Sequence, residues 1–193
     1  MSELQFTLFE TAIGRCGVVW SERGVVAVRF PERDENAVRD RIIRRFPAAA
    51  AAAAPSDKIR QVIDDIVALL NGEPRDLSHV AIDLGDAPDF NRRVYEVARA
   101  IPPGKTLSYG EVAERLGDRN LARDVAQALG QNPVPIIVPC HRVMAAGRKT
   151  GGFSAPGGVQ TKLKLLSIEG AQLEEQPMLF ERLLLAAQRR RSS

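Results

Sequence analysis

Cys140 and His141 stand together at the end of an apolar run broken by three prolines, NPVPIIVPCHRV over residues 132–143. Pro133, Pro135 and Pro139 fix φ and remove backbone donors, so the run is neither a helix interior nor a central strand. It reads as a stiff, extended rod that holds Cys140 at a set place. With only two cysteines in the chain, a disulfide explains this one poorly, and a thiol beside an imidazole is a nucleophile with a base at hand. A free thiol of pKa about 8.5 is mostly protonated at neutral pH and needs that base. Neighbouring side chains of an extended segment point to opposite faces. A Cys140–His141 relay therefore needs a bent backbone or a bridging water, and the water is the expected link. Glu169 can orient and charge-stabilise the imidazole, giving a Cys–water–His–Glu relay on the logic of a hydrolase triad. A thiol hydrolase would also need an acyl pocket, and none is recognisable.

The elements that must position these groups read as an α+β chain. Residues 6–30 contain three short Val- and Phe-rich runs, FTLFETAIG, CGVVWSE and GVVAVRF, which predict a β meander. Cys16, at the start of the second run, reads as a small buried residue. Helical spacing follows over 36–46 and, more clearly, over 57–70, where Ile59, Val62, Ile63, Ile66, Val67 and Leu70 form one stripe. Between them lie seven alanines flanked by prolines, read as a surface linker at 47–55. Residues 79–84 are a candidate last strand. From Asp89 the pattern turns helical: Phe90, Val94, Val97 and Ile101 share a face that ends at Pro102-Pro103-Gly104. Ser108 and Glu111 fit a capping box opening a helix to about Leu116. A Gly-containing turn separates it from a second helix at 121–129, the pattern of a helix-turn-helix. A glycine-rich loop, GRKTGGFSAPGG, precedes a last helix ending at Glu169-Gly170. The expected organisation is an N-terminal sheet domain with helices over 1–88, a mostly helical domain over 89–170 and a tail over 171–193.

PVPIIVPCHRV, with the GGFS and IEG segments downstream, resembles the O6-alkylguanine-DNA alkyltransferases, the methylated-DNA–protein-cysteine methyltransferases. The resemblance covers roughly residues 90–170. It implies a ribonuclease H-like first domain, and a reaction in which Cys140 attacks the alkyl carbon on O6 of guanine, with O4-alkylthymine as a second substrate. The S-alkyl cysteine has no easy leaving step, so the protein acts once. Tyr109 matches the tyrosine that gives a proton to the departing base. Arg123 matches the finger that fills the place of the flipped base, while small residues, Ala122 and Ala126 among them, let its helix approach the minor groove. Asn91, near a helix start, is a candidate phosphate contact. Asn132 links the recognition helix to the cysteine segment, and Ser154 contacts the modified oxygen. Phe153 stands where several members carry Tyr, and Ala155-Pro156 is a two-residue insertion.

Charge fits a polyanion partner. Residues 1–88 carry 11 Lys+Arg against 14 Asp+Glu, whereas residues 89–193 carry 16 against 10. Two histidines and two cysteines make a four-ligand zinc site a poor expectation, and no cofactor is expected. The absence of a signal-peptide pattern and of any apolar run near ~20 residues predicts a cytoplasmic monomer without a membrane anchor, bound to the nucleoid when on DNA. A binding-only lesion flag, which would lack the cysteine, and a helix-turn-helix regulator with a sensing thiol are the competing classes. In the tail, Gln176, Leu179 and Phe180 resemble the Gln-x-x-Leu-Phe peptide that docks bacterial proteins on the sliding clamp. The alternative there is a helix carrying Met178, Leu183 and Leu184 on an apolar face.

Overall fold

The computed structural model describes residues 3–172; the peptide at 176–180 lies outside them. The meander forms as expected, with β1 (Gln5–Thr11), β2 (Gly14–Ser21) and β3 (Gly24–Arg29) pairing antiparallel in sequence order. Phe6, Val19 and Ala27 lie on one face and Val18, Val25 and Val28 on the other, the bulge in β3 opposite Val19 and Trp20 shifting the alternation between Val25 and Ala27. α1 (Glu35–Arg45) covers the first face with Val38 and Ile42, and the Asp34 carboxylate caps it by accepting from the Ala37 N–H at 2.8 Å. The approach is close: a Cβ at Gly17 would lie 2.6 Å from Ile42 Cδ1. α2 (Asp57–Leu70) packs on the second face through Ile59, Val62, Ile66, Leu69 and Leu70.

Two expectations in this half are corrected. The alanine run is exposed, but Ala50–Ala51 form β4, which pairs parallel with Gln5 and Phe6 and gives the sheet order β3-β2-β1-β4. Alanine's helix propensity loses to the open edge of β1, where Ala50 and Ala52 N–H groups find the carbonyls of Leu4 and Phe6. Residues 79–84 are no strand. They touch β3 at a single bridge, Val25 to Ile82, where Gly24 backs onto the Ala81 backbone too closely for any side chain.

In the second half, α3 (Asp89–Arg99) turns Val94, Tyr95 and Ala98 inward. Arg99 ties its end to the first half by donating to the carbonyls of Leu77, Ser78 and Val80. β5 (Leu107–Ser108) leads into α4 (Tyr109–Arg115), which opens on the expected capping box, Ser108 and Glu111 each bonding the other's N–H. A 3-10 turn at Arg119–Leu121 joins it to α5 (Ala122–Gly130). β6 (Val143–Met144) pairs parallel with β5, and α6 (Val159–Ile168) follows the glycine-rich loop. Gly170, at φ 68°, lets the Ala171 N–H return to Leu166 O at 2.9 Å and ends α6. One apolar core runs from the second sheet face through α2, α3 and α5 into residues 134–143.

That last segment is not an extended rod. It doubles back, with the Val138 N–H on Val134 O at 2.9 Å and Pro135 bridged to Val138. At the tip, Ile136 takes φ 76° and is the one non-glycine residue at positive φ among those described. For a β-branched residue that conformation costs about 1–3 kcal/mol, and it persists only where its surroundings enforce it. Ile136 is 1% exposed, so burial of its side chain in the shared core opposes the strain.

Candidate active site

Asn132 braces this turn at both ends: its Oδ1 accepts from the Val134 N–H at 3.0 Å and its Nδ2 donates to Val138 O at 2.8 Å. Pro139, at φ −80° and ψ 67°, then makes an inverse γ-turn closed by the Cys140 N–H on Val138 O at 2.8 Å. The chain enters a 3-10 turn over Cys140–Arg142. The backbone at the Cys-His pair is therefore bent rather than extended. Even so, no side-chain hydrogen bond joins Cys140 to His141 among the described contacts.

Cys140 lines a cavity of about 290 Å³ together with Leu129, Asn132, Pro135, Phe153 and Ser154, with Val28 and Arg29 of β3 and the following Phe30 also in its wall. Burial pushes its thiol pKa up. The Asn132 side chain, the Lys162 charge and nearby backbone N–H groups pull the other way. Both cysteines are free, and burial lifts Cys16 to about 11, which leaves it an inert core residue.

His141 is 1% exposed, and its Nε2 lies 2.8 Å from Glu169 Oε1. Burial works to raise the Glu169 pKa, but hydrogen bonds and charges from His141 and Arg142 outweigh it and hold the group at about 2. An ionised carboxylate only accepts, so Nε2 carries the proton and Nδ1 presents its lone pair. Nδ1 is buried and has no hydrogen-bond partner among the described residues. Burial also lowers the His141 pKa, with Arg142 and Lys162 acting in the same sense against Glu169. The arrangement is a neutral, oriented base next to a buried thiol.

Two residues of this site were not singled out from the sequence. Arg142 grips Glu169 with both arms, Nε to Oε2 at 2.9 Å and Nη2 to Oε1 at 2.8 Å, and anchors to Ile101 O at 2.5 Å. Lys162 is fully buried, donates from Nζ to Val143 O at 2.6 Å and lies 5.9 Å from the Tyr109 ring centroid. Burial lowers its pKa to about 8, with Cys140 opposing. A lysine inside the apolar stripe of α6, one helical turn before Leu166 and two before Glu169, was the available signal.

The remaining candidates sit in three settings. Tyr109, the first residue of α4, is half-buried, and burial raises its hydroxyl pKa. It lines a separate depression, together with Ala122, and is not among the residues that wall the Cys140 cavity. Arg123 is exposed on α5, with Ala122 and Ala126 half-buried on either side. Ser154 is exposed and donates to Gly130 O at 3.2 Å, tying the glycine-rich loop to the end of α5. Asn91 is a correction. Its side chain is buried and donates to Gln131 Oε1 at 3.1 Å, so it fastens α3 to the end of α5 and is not presented to a phosphate.

Residues 89–171 match the family model described as the 6-O-methylguanine DNA methyltransferase DNA-binding domain. The methylated-DNA–protein-cysteine methyltransferase of Methanothermobacter thermautotrophicus is 36% identical over 160 residues, 83% of this chain and 82% of that protein. The protein of the same name from Mycobacterium tuberculosis H37Rv is 40% identical over 119 residues, 62% of this chain and 70% of that one. The crystal structure of Mycobacterium tuberculosis OGT in complex with DNA superposes with a TM-score of 0.70 at 30% identity, covering 86% of this chain and 92% of that one. The chain belongs to the methylated-DNA–protein-cysteine methyltransferases.

Proposed function

We propose that this DNA alkyltransferase extracts O6-alkylguanine, and O4-alkylthymine, from duplex DNA and moves the alkyl group onto Cys140 in one irreversible turnover. The observation that carries the reading is the buried chain from Arg142 through Glu169 to His141, which holds the imidazole by Nε2 and leaves a buried, unpartnered Nδ1 on the residue that follows Cys140. A water between Nδ1 and Sγ would pass the thiol proton to the imidazole, leaving an imidazolium stabilised by Glu169. The thiolate attacks the alkyl carbon, the C–O6 bond breaks, and its electron pair leaves with guanine, which takes a proton from Tyr109. A thioether is a poor leaving group, so no second cycle follows.

Base extrusion follows from access. Cys140 is 9% exposed and lines a cavity, whereas O6 of a stacked base is out of reach of any side chain. In this reading α4 and α5 act as a helix-turn-helix, α5 enters the minor groove on its small residues, and Arg123 fills the vacated place. The three-stranded meander with parallel β4 fits a ribonuclease H-like first unit. We place the monomer in the cytoplasm, on the nucleoid, with the tail peptide at 176–180 available to a sliding clamp. The test is peptide mass spectrometry after mixing with duplex O6-methylguanine DNA. The expected result is one added methylene on the Cys140 peptide, and a Cys140→Ala variant that binds the duplex without gaining mass. Methyl removal by that variant, or label on another residue, would end the assignment.

A further inference from the structure

The last turns of α1 carry an exposed group of arginines. Val38 and Ile42 bury one side of the helix, and spacings of three and four set Arg41, Arg44 and Arg45 next to one another on its surface. The carboxylates of this segment are engaged elsewhere in the group or outside it. Glu32 pairs with Arg41 alone, at 2.8 Å, Glu35 pairs with Arg15 and Arg39, and Asp34 caps the start of the helix. Among the described residues, no carboxylate lies within ion-pair distance of Arg44 or Arg45. Arg29 of β3 adds a fourth cation from below. Its guanidinium and that of Arg45 both lie over the Phe46 ring, at 5.7 and 5.4 Å from the centroid. Burial, then repulsion from Arg41 and Arg45, lowers the Arg29 pKa, so these charges are close enough to oppose one another. Cations in a last turn complement the helix dipole, but that favours single charges and does not offset crowding among several. A polyanion from outside the chain does. The group is also continuous with the surface around α5: Arg41 lines the same cavity as Leu129 and Gly130 at the end of that helix.

We propose that the Arg44–Arg45 end of α1 is a second DNA contact, which holds backbone phosphates flanking the lesion while α5 occupies the groove. The contact rests on the alkyltransferase reading and adds to it a surface outside residues 89–171, the span of the DNA-binding family model. A duplex that delivers a base into the Cys140 cavity carries its neighbouring phosphates past the cavity mouth, which α1 borders. Guanidinium forks match phosphate oxygens, so the contact fixes the orientation of the duplex without reading its sequence. The first half of the chain thereby shares in docking, although its net charge is acidic.

The test is the salt dependence of duplex affinity in an Arg44→Gln, Arg45→Gln double variant. Each phosphate contact contributes about 0.9 to the slope of log K against log salt concentration, so the slope is expected to be shallower by about 1 to 2. Transfer from free O6-benzylguanine, which carries no phosphate, is expected to stay within about twofold of the intact protein. An Arg44→Lys, Arg45→Lys variant keeps both charges and is expected to keep the slope, which separates phosphate binding from packing against Phe46. An unchanged slope in the Gln variant overturns the proposal, and so does weaker binding at an unchanged slope, which would assign the arginines to the fold. Equal losses on duplex and free base would overturn it as well. Failure of the intact protein to take the benzyl group onto Cys140 would instead remove the alkyltransferase reading itself.

Discussion

In the proposed relay His141 acts as the base through Nδ1, because Glu169 holds its other nitrogen, and Glu169 keeps its charge because Arg142 and His141 hold both its oxygens. Transfer needs the neutral imidazole, so the acid limb of the rate profile marks its protonation. Burial lowers that pKa, so the limb is expected below the ordinary histidine range of about 6.5. Glu169 is the influence that raises it. Glu169→Gln should therefore move the limb to lower pH while slowing transfer roughly ten- to a hundredfold, since the imidazolium loses its counter-charge. Single-turnover rates across pH 4 to 8 decide it; a limb at or above the free-histidine value would mean that His141 is not the base. Cys140, His141 and Glu169 were legible from residue type and order. Arg142 and Lys162 were not, because a cation in an apolar stripe reveals its partner only after α6 has closed on the 3-10 turn.

At the scale of elements, α5 and the turn before Cys140 divide the work. α5 buries Val125, Ala128 and Leu129 and leaves Arg123, Asp124 and Gln127 outward. Among the described residues, Arg123 is exposed and has no side-chain hydrogen bond or ion pair to Cys140, His141 or Glu169. Arg123→Ala is therefore expected to slow repair in duplex DNA about tenfold, roughly 1.4 kcal/mol and so a part of the few kcal/mol that extrusion costs, while leaving transfer from free O6-benzylguanine within about twofold. Equal losses on both substrates would assign Arg123 to the fold or the chemistry. The helices themselves were readable: the stripe of α2 and the Ser108–Glu111 box are local patterns that local structure obeys. The reversal at Ile136 was not readable, because no local signal sets a β-branched residue at positive φ. Tertiary closure imposes it, through Asn132 on one side and the core on the other. β4 escaped for a related reason, since alanines pair there only because β1 offers an open edge.

The whole molecule places a set of buried charges where its two halves meet, and their balance is a stability statement. Arg142, Glu169, His141 and Lys162 all lie against the Cys140 turn, and Arg29 faces the same cavity from β3. Which residues of the first half would wall the cavity could not be read from the sequence, because β3 and Phe153 are far apart in the chain. Of these groups, Lys162 leaves the clearest thermodynamic trace. Its pKa falls from 10.5 to about 8 on folding, so between those values the unfolded chain binds more protons than the folded one. Stability contributed by this group therefore rises with pH across that window and is flat below it. Cys16 acts in the opposite sense, its pKa raised from 9.0 to about 11, so the intact protein alone does not isolate Lys162. The comparison with Lys162→Met does. Denaturant unfolding at a series of pH values from 7 to 11 should give the intact protein a more positive slope than the variant between about pH 8 and 10.5. The same variant should also slow transfer, because the cation that favours the Cys140 thiolate is gone. Parallel stability profiles would mean that Lys162 is not a buried ammonium in the folded state, and its part in activating Cys140 would go with it.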